Sequence, residues 1–274
     1  MSDPVEDVDA QRQAQDAGTM AQMESLREEA KEARAIGCLE PIRPDKSSSS
    51  DGAKSCFLQE FEAGSLFAQK VDALPFRLLR RCRRDGNCFY RSYLFGLFHG
   101  MCTDVAFRKR IRTLLDSSLA YCEAAGYDRF AIEEMHEELM EVLNGVFKDV
   151  DTPVDVAEVE KLFQSDDMNY PICFFRCLTS SFMKQNKDDF LPFLTMYTTI
   201  QAFCMSEVDP LWREADELQV QALCRYFEVP ARIFYLDQSP GTACTIHELL
   251  FGQATSRIDF LYRPGHYELL YDPC

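Results

Sequence analysis

Asp85-Gly86-Asn87-Cys88-Phe89-Tyr90-Arg91 is the stretch from which the rest of the chain takes its meaning. Asp-Gly-Asn is a turn signal, because glycine adopts positive φ without a Cβ clash and Asp and Asn side chains bond their own backbone two residues on. After it, Tyr90, Tyr93, Leu94, Leu97 and Phe98 recur at helical spacings, which predicts a helix with a broad apolar face and a stop near Gly100. Cys88 then lies in the first turn of a buried helix. A helix N-terminus carries roughly half a positive charge and unpaired N–H groups, which can draw a cysteine pKa from ~8.5 to between about 3.5 and 7.5. The backbone N–H groups of Asp85, Gly86, Asn87 and Cys88 would face the oxyanion of a tetrahedral intermediate. Spacing alone also fits a small core residue, the usual fate of a free cysteine.

A nucleophilic cysteine needs a base, and the chain holds four histidines. His99 ends the same helix, roughly 16 Å from Cys88 at about 1.5 Å per residue, and cannot reach. His136 falls on the stripe Ile132, His136, Met140, Leu143 and lacks the second histidine of a zinc-protease helix, so it reads as a helix-edge residue. His247 has no partner histidine either and stays a weak alternative. His266 differs in its setting. Ile258, Phe260 and Tyr262 alternate, Pro264-Gly265 makes a turn, and His266, Glu268 and Leu270 alternate with Tyr267, Leu269 and Tyr271: a β-hairpin. Positions two apart on a strand share a face, so Glu268 can orient the imidazole of His266. A strand histidine paired with a glutamate for stability alone fits the same pattern.

Together, Asp85-Gly86-Asn87-Cys88-Phe89-Tyr90-Arg91 and Tyr262-Arg263-Pro264-Gly265-His266-Tyr267 resemble the two signature blocks of the otubains, the ovarian-tumour-domain deubiquitinases. Leu178-Thr179-Ser180-Ser181 and the run from Phe203-Cys204-Met205-Ser206 to Ala222-Leu223 fit the same pattern in the right order. The resemblance covers roughly residues 57 to 274. It implies Cys88 as nucleophile, His266 as general base and Asp85 as a shaper of the oxyanion turn, with no metal or organic cofactor. Glu268 stands where the family commonly has Asp or Asn, and the extra methylene puts its third catalytic role in doubt. The implied substrate is polyubiquitin, of the proteasome-directing linkage. Two alternatives stay open: a non-catalytic binder and inhibitor of ubiquitin-charged conjugating enzymes, and a protease for a ubiquitin-like modifier.

The bounds agree with an enzyme of that kind. The 274 residues allow one large domain with an appendage. A formal net charge of −16 and a pI near 4.7 argue against generic nucleic-acid binding and favour basic or neutral partners, ubiquitin's basic tail among them. Arg77, Arg80, Arg81, Arg83 and Arg84 form a local exception that reads better as a packed segment than as a nuclear-import patch. With twelve cysteines but an acidic start and no apolar signal segment, the thiols are expected to be reduced and the protein cytoplasmic, with the nucleus also open. Cys173 and Cys177 lack a second pair at zinc-ligand spacing. No stretch approaches a membrane span, and a monomer is expected.

Residues 1–56 read as a partly helical extension and linker. A narrow stripe at Met20, Met23, Leu26, Ala30 and Ala33 has little to bury, Gly37 suggests a stop, and Asp45 to Gly52 is serine-rich. Residues 57–274 then form the catalytic domain. Helices are predicted over Phe57 to Lys70, 103–125, 129–148, Tyr170 to Lys184, Asp188 to Phe203 and Glu217 to Phe227, with a further start capped at Thr152. Strands are predicted at Arg232 to Leu236, Ile258 to Tyr262 and His266 to Tyr271. Asp149, Asp151, Asp155 and Glu160 imitate a calcium loop, but Val154 stands where the turn needs glycine. The fold class is α+β, helix-rich with a small, mostly antiparallel sheet. The otubain resemblance makes it a papain-like cysteine-protease architecture of the ovarian-tumour-domain type.

Overall fold

A mixed sheet carries the hairpin that the sequence places near its end. The computed structural model describes residues 34–44, 56–165, 168–251 and 256–272. Its strands are β1 (Ile36–Pro41), β2 (Leu78–Cys82), β3 (Ala231–Tyr235), β4 (Thr245–Leu249), β5 (Ile258–Arg263) and β6 (His266–Tyr271), in the order β1-β2-β6-β5-β3-β4. Only β3 and β5 pair in parallel. All residues of β6 but the last are buried, as suits a strand flanked by neighbours and covered on both faces.

Alternation along the strands assigns each face its own core. Phe260, Tyr267 and Leu269 belong to the larger cluster, built with the helices. Leu261 and Leu270 join Leu79, Phe234, Phe57, Val71 and Phe76 in a smaller one on the other face. The helices are α1 (Leu66–Asp72), α2 (Cys88–Thr103), α3 (Val105–Ala124), α4 (Arg129–Val146), α5 (Val156–Leu162), α6 (Asn169–Gln185) and α7 (Glu217–Phe227). In α2 nearly every side chain from Cys88 to Cys102 is buried, which marks a core helix rather than an amphipathic surface one. Phe95 packs edge-on against Phe163 at 5.2 Å, and truncating such a buried ring costs about 3–5 kcal/mol. Among the described residues no helix is long and apolar enough to cross a membrane.

Several expectations need correction. The helix predicted over Phe57 to Lys70 is a short 3₁₀ turn at Phe57–Glu60 followed by α1, because Gly64 takes φ +79° and the Ser65 hydroxyl caps the new start at 3.2 Å from the Ala68 N–H. Asp188 to Phe203 likewise breaks into single turns, with Pro192 in the first break and Thr199 capping the last piece. Asp155, not Thr152, caps α5, since the Thr152 hydroxyl donates to Asp149 at 2.6 Å. Helix α2 runs past Gly100 to Thr103, and the glycine serves packing instead of a stop: a Cβ there would stand 2.9 Å from the Phe107 ring.

Strands β1, β2 and β4 had no sequence signal strong enough to mark them. Part of the predicted extension is thus structural: residues 36–41 pair with β2, and Pro41 is tolerated because β1 is an edge. The helix predicted around Met20 to Ala33 and the linker at Asp45 to Gly52 lie outside the described residues.

Candidate active site

Cys88 is the first residue of α2 and is 2 % exposed. The turn before it is braced from within. The Asp85 carboxylate accepts the Asn87 N–H at 3.0 Å and both Arg91 guanidinium nitrogens, at 2.8 and 2.5 Å. This fork-on-fork pair fixes the turn to the helix that follows it. It also corrects one expectation: the Asn87 N–H is spent on Asp85 and is not an oxyanion donor.

Gly86 takes φ +76°, and a Cβ there would stand 2.1 Å from the Trp212 carbonyl oxygen. Glycine is required twice over, by the torsion and by the close approach. Trp212 itself sits at φ +69°, rare for a bulky residue, and its N–H donates to Asn87 Oδ1 at 3.2 Å.

His266 opens β6, 2 % exposed, with Glu268 on the same face at 1 %. Their closest approach is 3.6 Å, from His266 Nε2 to Glu268 Oε1, which is ion-pair reach but too long for a hydrogen bond. The hydrogen bond to that oxygen comes from Arg263 Nη2 at 2.7 Å, and Arg81 Nη1 stands 4.0 Å away. Arg81 in turn pairs with Glu40 on β1 and with Glu60, so the edge strand β1 reaches the cluster behind the histidine. His266 Nδ1 has no partner among the described residues.

The two blocks meet where α2 crosses β6. Phe89 packs against Tyr267 at 5.4 Å and Phe260 at 5.9 Å. The Tyr267 backbone, one residue along from His266, bears on the Cys88 thiol. Burial pushes that thiol up to about 12, helped by the neighbouring Cys82; the Tyr267 backbone and Arg91 pull it down too weakly to compensate. Desolvation therefore opposes what a helix N-terminus offers a thiolate. Burial also lowers His266 from the ordinary imidazole value, with Arg84 and Arg263 adding to the effect and Glu268 opposing it. Burial would raise Glu268, but His266, Arg263 and Arg81 together hold it below the usual carboxylate range. Burial thus disfavours the charged form of both the thiol and the imidazole.

The other histidines stand elsewhere. His136 bonds the Leu115 carbonyl at 3.0 Å through Nε2 and packs on Phe174. His247, on edge strand β4, lies against Tyr235 at 4.4 Å. His99 packs on Tyr271 at the far end of α2. The basic run is packed only in part: Arg80 is buried against Glu160 and Arg83 lies 3.6 Å from Asp85, but Arg77 and Arg84 are exposed. Cysteines 38 to 244 are all free thiols.

Sequence reasoning missed Arg91, Arg176 and Arg263. The first and last stood inside the two blocks without a role. Arg176 could have been noticed as the one cation within the apolar run Ile172 to Leu178.

Comparison with known proteins bears on the same region. The family model described as Peptidase C65 Otubain matches residues 42–272. The "Ubiquitin thioesterase otubain-like" protein of Caenorhabditis elegans is 30 % identical, over 79 % of this chain and 77 % of its own length. Human "Ubiquitin thioesterase OTUB1" is 28 % identical, over 77 % of each chain. Among solved structures, the h/ceOTUB1–ubiquitin aldehyde–UBC13~Ub complex superposes with a TM-score of 0.79 at 26 % identity, covering 95 % of this chain and 100 % of the other.

Proposed function

The chain belongs to the otubain family of cysteine-type deubiquitinases, and on that premise we propose that it hydrolyses the isopeptide bond at the ubiquitin C-terminus with Cys88 as nucleophile and His266 as general base. The observation that carries the assignment is the seating of the Cys88 thiol at the start of α2 against the backbone of Tyr267, the residue that follows a buried histidine whose Nδ1 is unengaged. Because Nε2 is the nitrogen nearest Glu268, Nδ1 is left to accept the thiol proton. His266 takes the Cys88 proton, or the two rest as an ion pair. The sulfur bonds the carbonyl carbon of the terminal glycine, and free N–H groups where the turn enters α2 receive the oxyanion. Protonated His266 gives its proton to the departing lysine amine as the C–N bond breaks. Water, deprotonated by the same imidazole, then releases ubiquitin from the thioester.

Finer features extend this reading. We place its substrates among chains of the proteasome-directing linkage. The free thiols suit a reducing cytoplasmic or nuclear setting. A second reading, a binder of ubiquitin-charged conjugating enzymes, is supported by the OTUB1 complex with UBC13~Ub and by the engagement of Glu268 with Arg263 instead of His266.

Intact-mass analysis with ubiquitin bearing a C-terminal electrophile tests the assignment. One ubiquitin adduct, absent in Cys88→Ala, is expected; no adduct from the folded protein would reject catalysis and favour the binder. Parallel probes bearing a ubiquitin-like modifier, and cleavage of chains of each linkage, fix the substrate.

A further inference from the structure

Helix α2 begins with a residue that ought to cap it and does not. Asn87 occupies the N-cap position, where an amide oxygen ordinarily accepts the N–H of the second or third helical residue, yet its side chain makes no capping bond. Elsewhere in the chain Asp104, Asp128 and Asp155 cap their helices normally.

The Asn87 amide is diverted by Arg176, a fully buried arginine of α6. Arg176 donates to Asn87 Oδ1 through Nε at 3.1 Å and Nη2 at 2.6 Å, and Nη2 also reaches the Gly86 carbonyl at 3.0 Å. Its remaining bonds run to the Val208 carbonyl at 3.0 Å and the Arg213 carbonyl at 2.6 Å, while Tyr90 of α2 lies under the guanidinium at 4.2 Å. One side chain therefore ties together the turn before Cys88, the segment 208–213 and the first turn of α2. Among the described residues no carboxylate hydrogen-bonds this guanidinium; carbonyl and amide oxygens satisfy it.

Taking the deubiquitinase reading as its basis, we infer that Arg176 is a positioning residue for the oxyanion site: by gripping Gly86 and Asn87 it keeps the Asn87 amide from capping α2 and leaves the N–H groups at the start of that helix open to the developing oxyanion. Removing the grip frees the amide to fold over those donors. The same grip steadies Trp212, whose N–H shares the Asn87 oxygen.

The test compares two probes on full-length protein. With ubiquitin C-terminal aldehyde, the Cys88 sulfur adds to the aldehyde carbon and the carbonyl oxygen becomes the charged or protonated oxygen of a hemithioacetal, which needs the oxyanion donors. With a ubiquitin C-terminal propargylamide, the sulfur adds to the alkyne to give a vinyl thioether and no oxyanion forms. For Arg176→Lys, which keeps the charge but loses the fork, the expected results are aldehyde affinity weakened roughly tenfold or more, kcat reduced by a similar factor and KM little changed. Binding of unmodified ubiquitin and the rate of propargylamide labelling should stay within about threefold of wild type.

Asn87→Ser, too short to meet Arg176 but able to cap, should reproduce the pattern and keeps the question answerable if the Arg176 variant does not fold. An aldehyde-to-propargylamide ratio equal to wild type in a folded variant overturns the inference, as a purely structural arginine would move both probes together. Failure of wild type itself to form the propargylamide adduct would instead reject the catalytic reading beneath it.

Discussion

On the Cys88 side the Asp85 carboxylate takes three N–H donors at hydrogen-bond length, whereas on the His266 side the Glu268 carboxylate takes one, from Arg263, with its second oxygen unpartnered. Both carboxylates are buried, so the difference is one of partners and not of solvent. The nucleophile's turn is over-determined, since Asp85, Arg91, Arg176 and the Trp212 backbone each fix the same few atoms. The base is held less firmly, by a strand and by a glutamate that another cation has claimed. A site built this way keeps its oxyanion geometry ready and leaves the protonation chemistry to be tuned by the charges around His266.

Gly86 and Gly265 set the two halves side by side, because both take φ +76° but face different neighbours. A Cβ at Gly86 would meet the Trp212 backbone at 2.1 Å, which cannot yield without moving the turn. A Cβ at Gly265 would meet the Glu214 carboxylate at 2.9 Å, the far end of a flexible side chain. Gly86→Ala is expected to cut kcat/KM by about a hundredfold or more, as befits a displaced nucleophile. Gly265→Ala should carry only the torsional strain, about 1–3 kcal/mol of stability, and retain most activity. Turnover of a fluorogenic ubiquitin conjugate beside thermal unfolding measures both. Equal losses in the two variants would erase the distinction between a rigid half and a pliant one.

The sequence made the backbone of both halves legible but not the arginines that brace them, and the reason lies in range. The turn at Asp85 to Cys88 and the hairpin at Ile258 to Tyr271 are local patterns, in which glycine, alternation and spacing determine structure within a few residues. Helix α7 at Glu217–Phe227 matched its expectation for the same reason, with a capping box at Asp216 to Gln219. Strand β1 was invisible because Gly37, Glu40 and Pro41 spoil its alternation; pairing with β2, remote in sequence, makes it a strand. The protonation of Cys88 was also out of reach. A helix N-terminus can be read from sequence, but the desolvation that opposes it depends on everything that packs around the thiol.

Glu268→Gln probes the pliant half directly. It removes the anion but keeps an amide able to hold the imidazole, and kcat/KM should fall about ten- to a hundredfold, the range for losing an orienting partner. Glu268 raises the His266 pKa, so its removal lowers that pKa further. The base works as neutral imidazole, so the acid limb of the kcat/KM profile should move to lower pH even as the rate drops. A limb that does not move would mean that Glu268 acts only as a packing group.

Arg263→Gln should do the opposite and with the smallest change in rate. The shorter, neutral amide removes both the charge and the bond to Glu268 Oε1. Arg263 lowers His266, and its loss lets the Glu268 charge act on the imidazole with less competition. Both effects raise the His266 pKa, so the acid limb should shift to higher pH. Turnover at pH 8, where the imidazole is neutral in either protein, should stay within about threefold of wild type. Opposite displacements of the acid limb in Glu268→Gln and Arg263→Gln would establish that the two side chains set the base's proton affinity against each other. Displacement in the same direction would mean that the cluster of Arg81, Arg263, Glu60 and Glu268 rearranges as a unit when any member changes, and the base would then be held as firmly as the nucleophile.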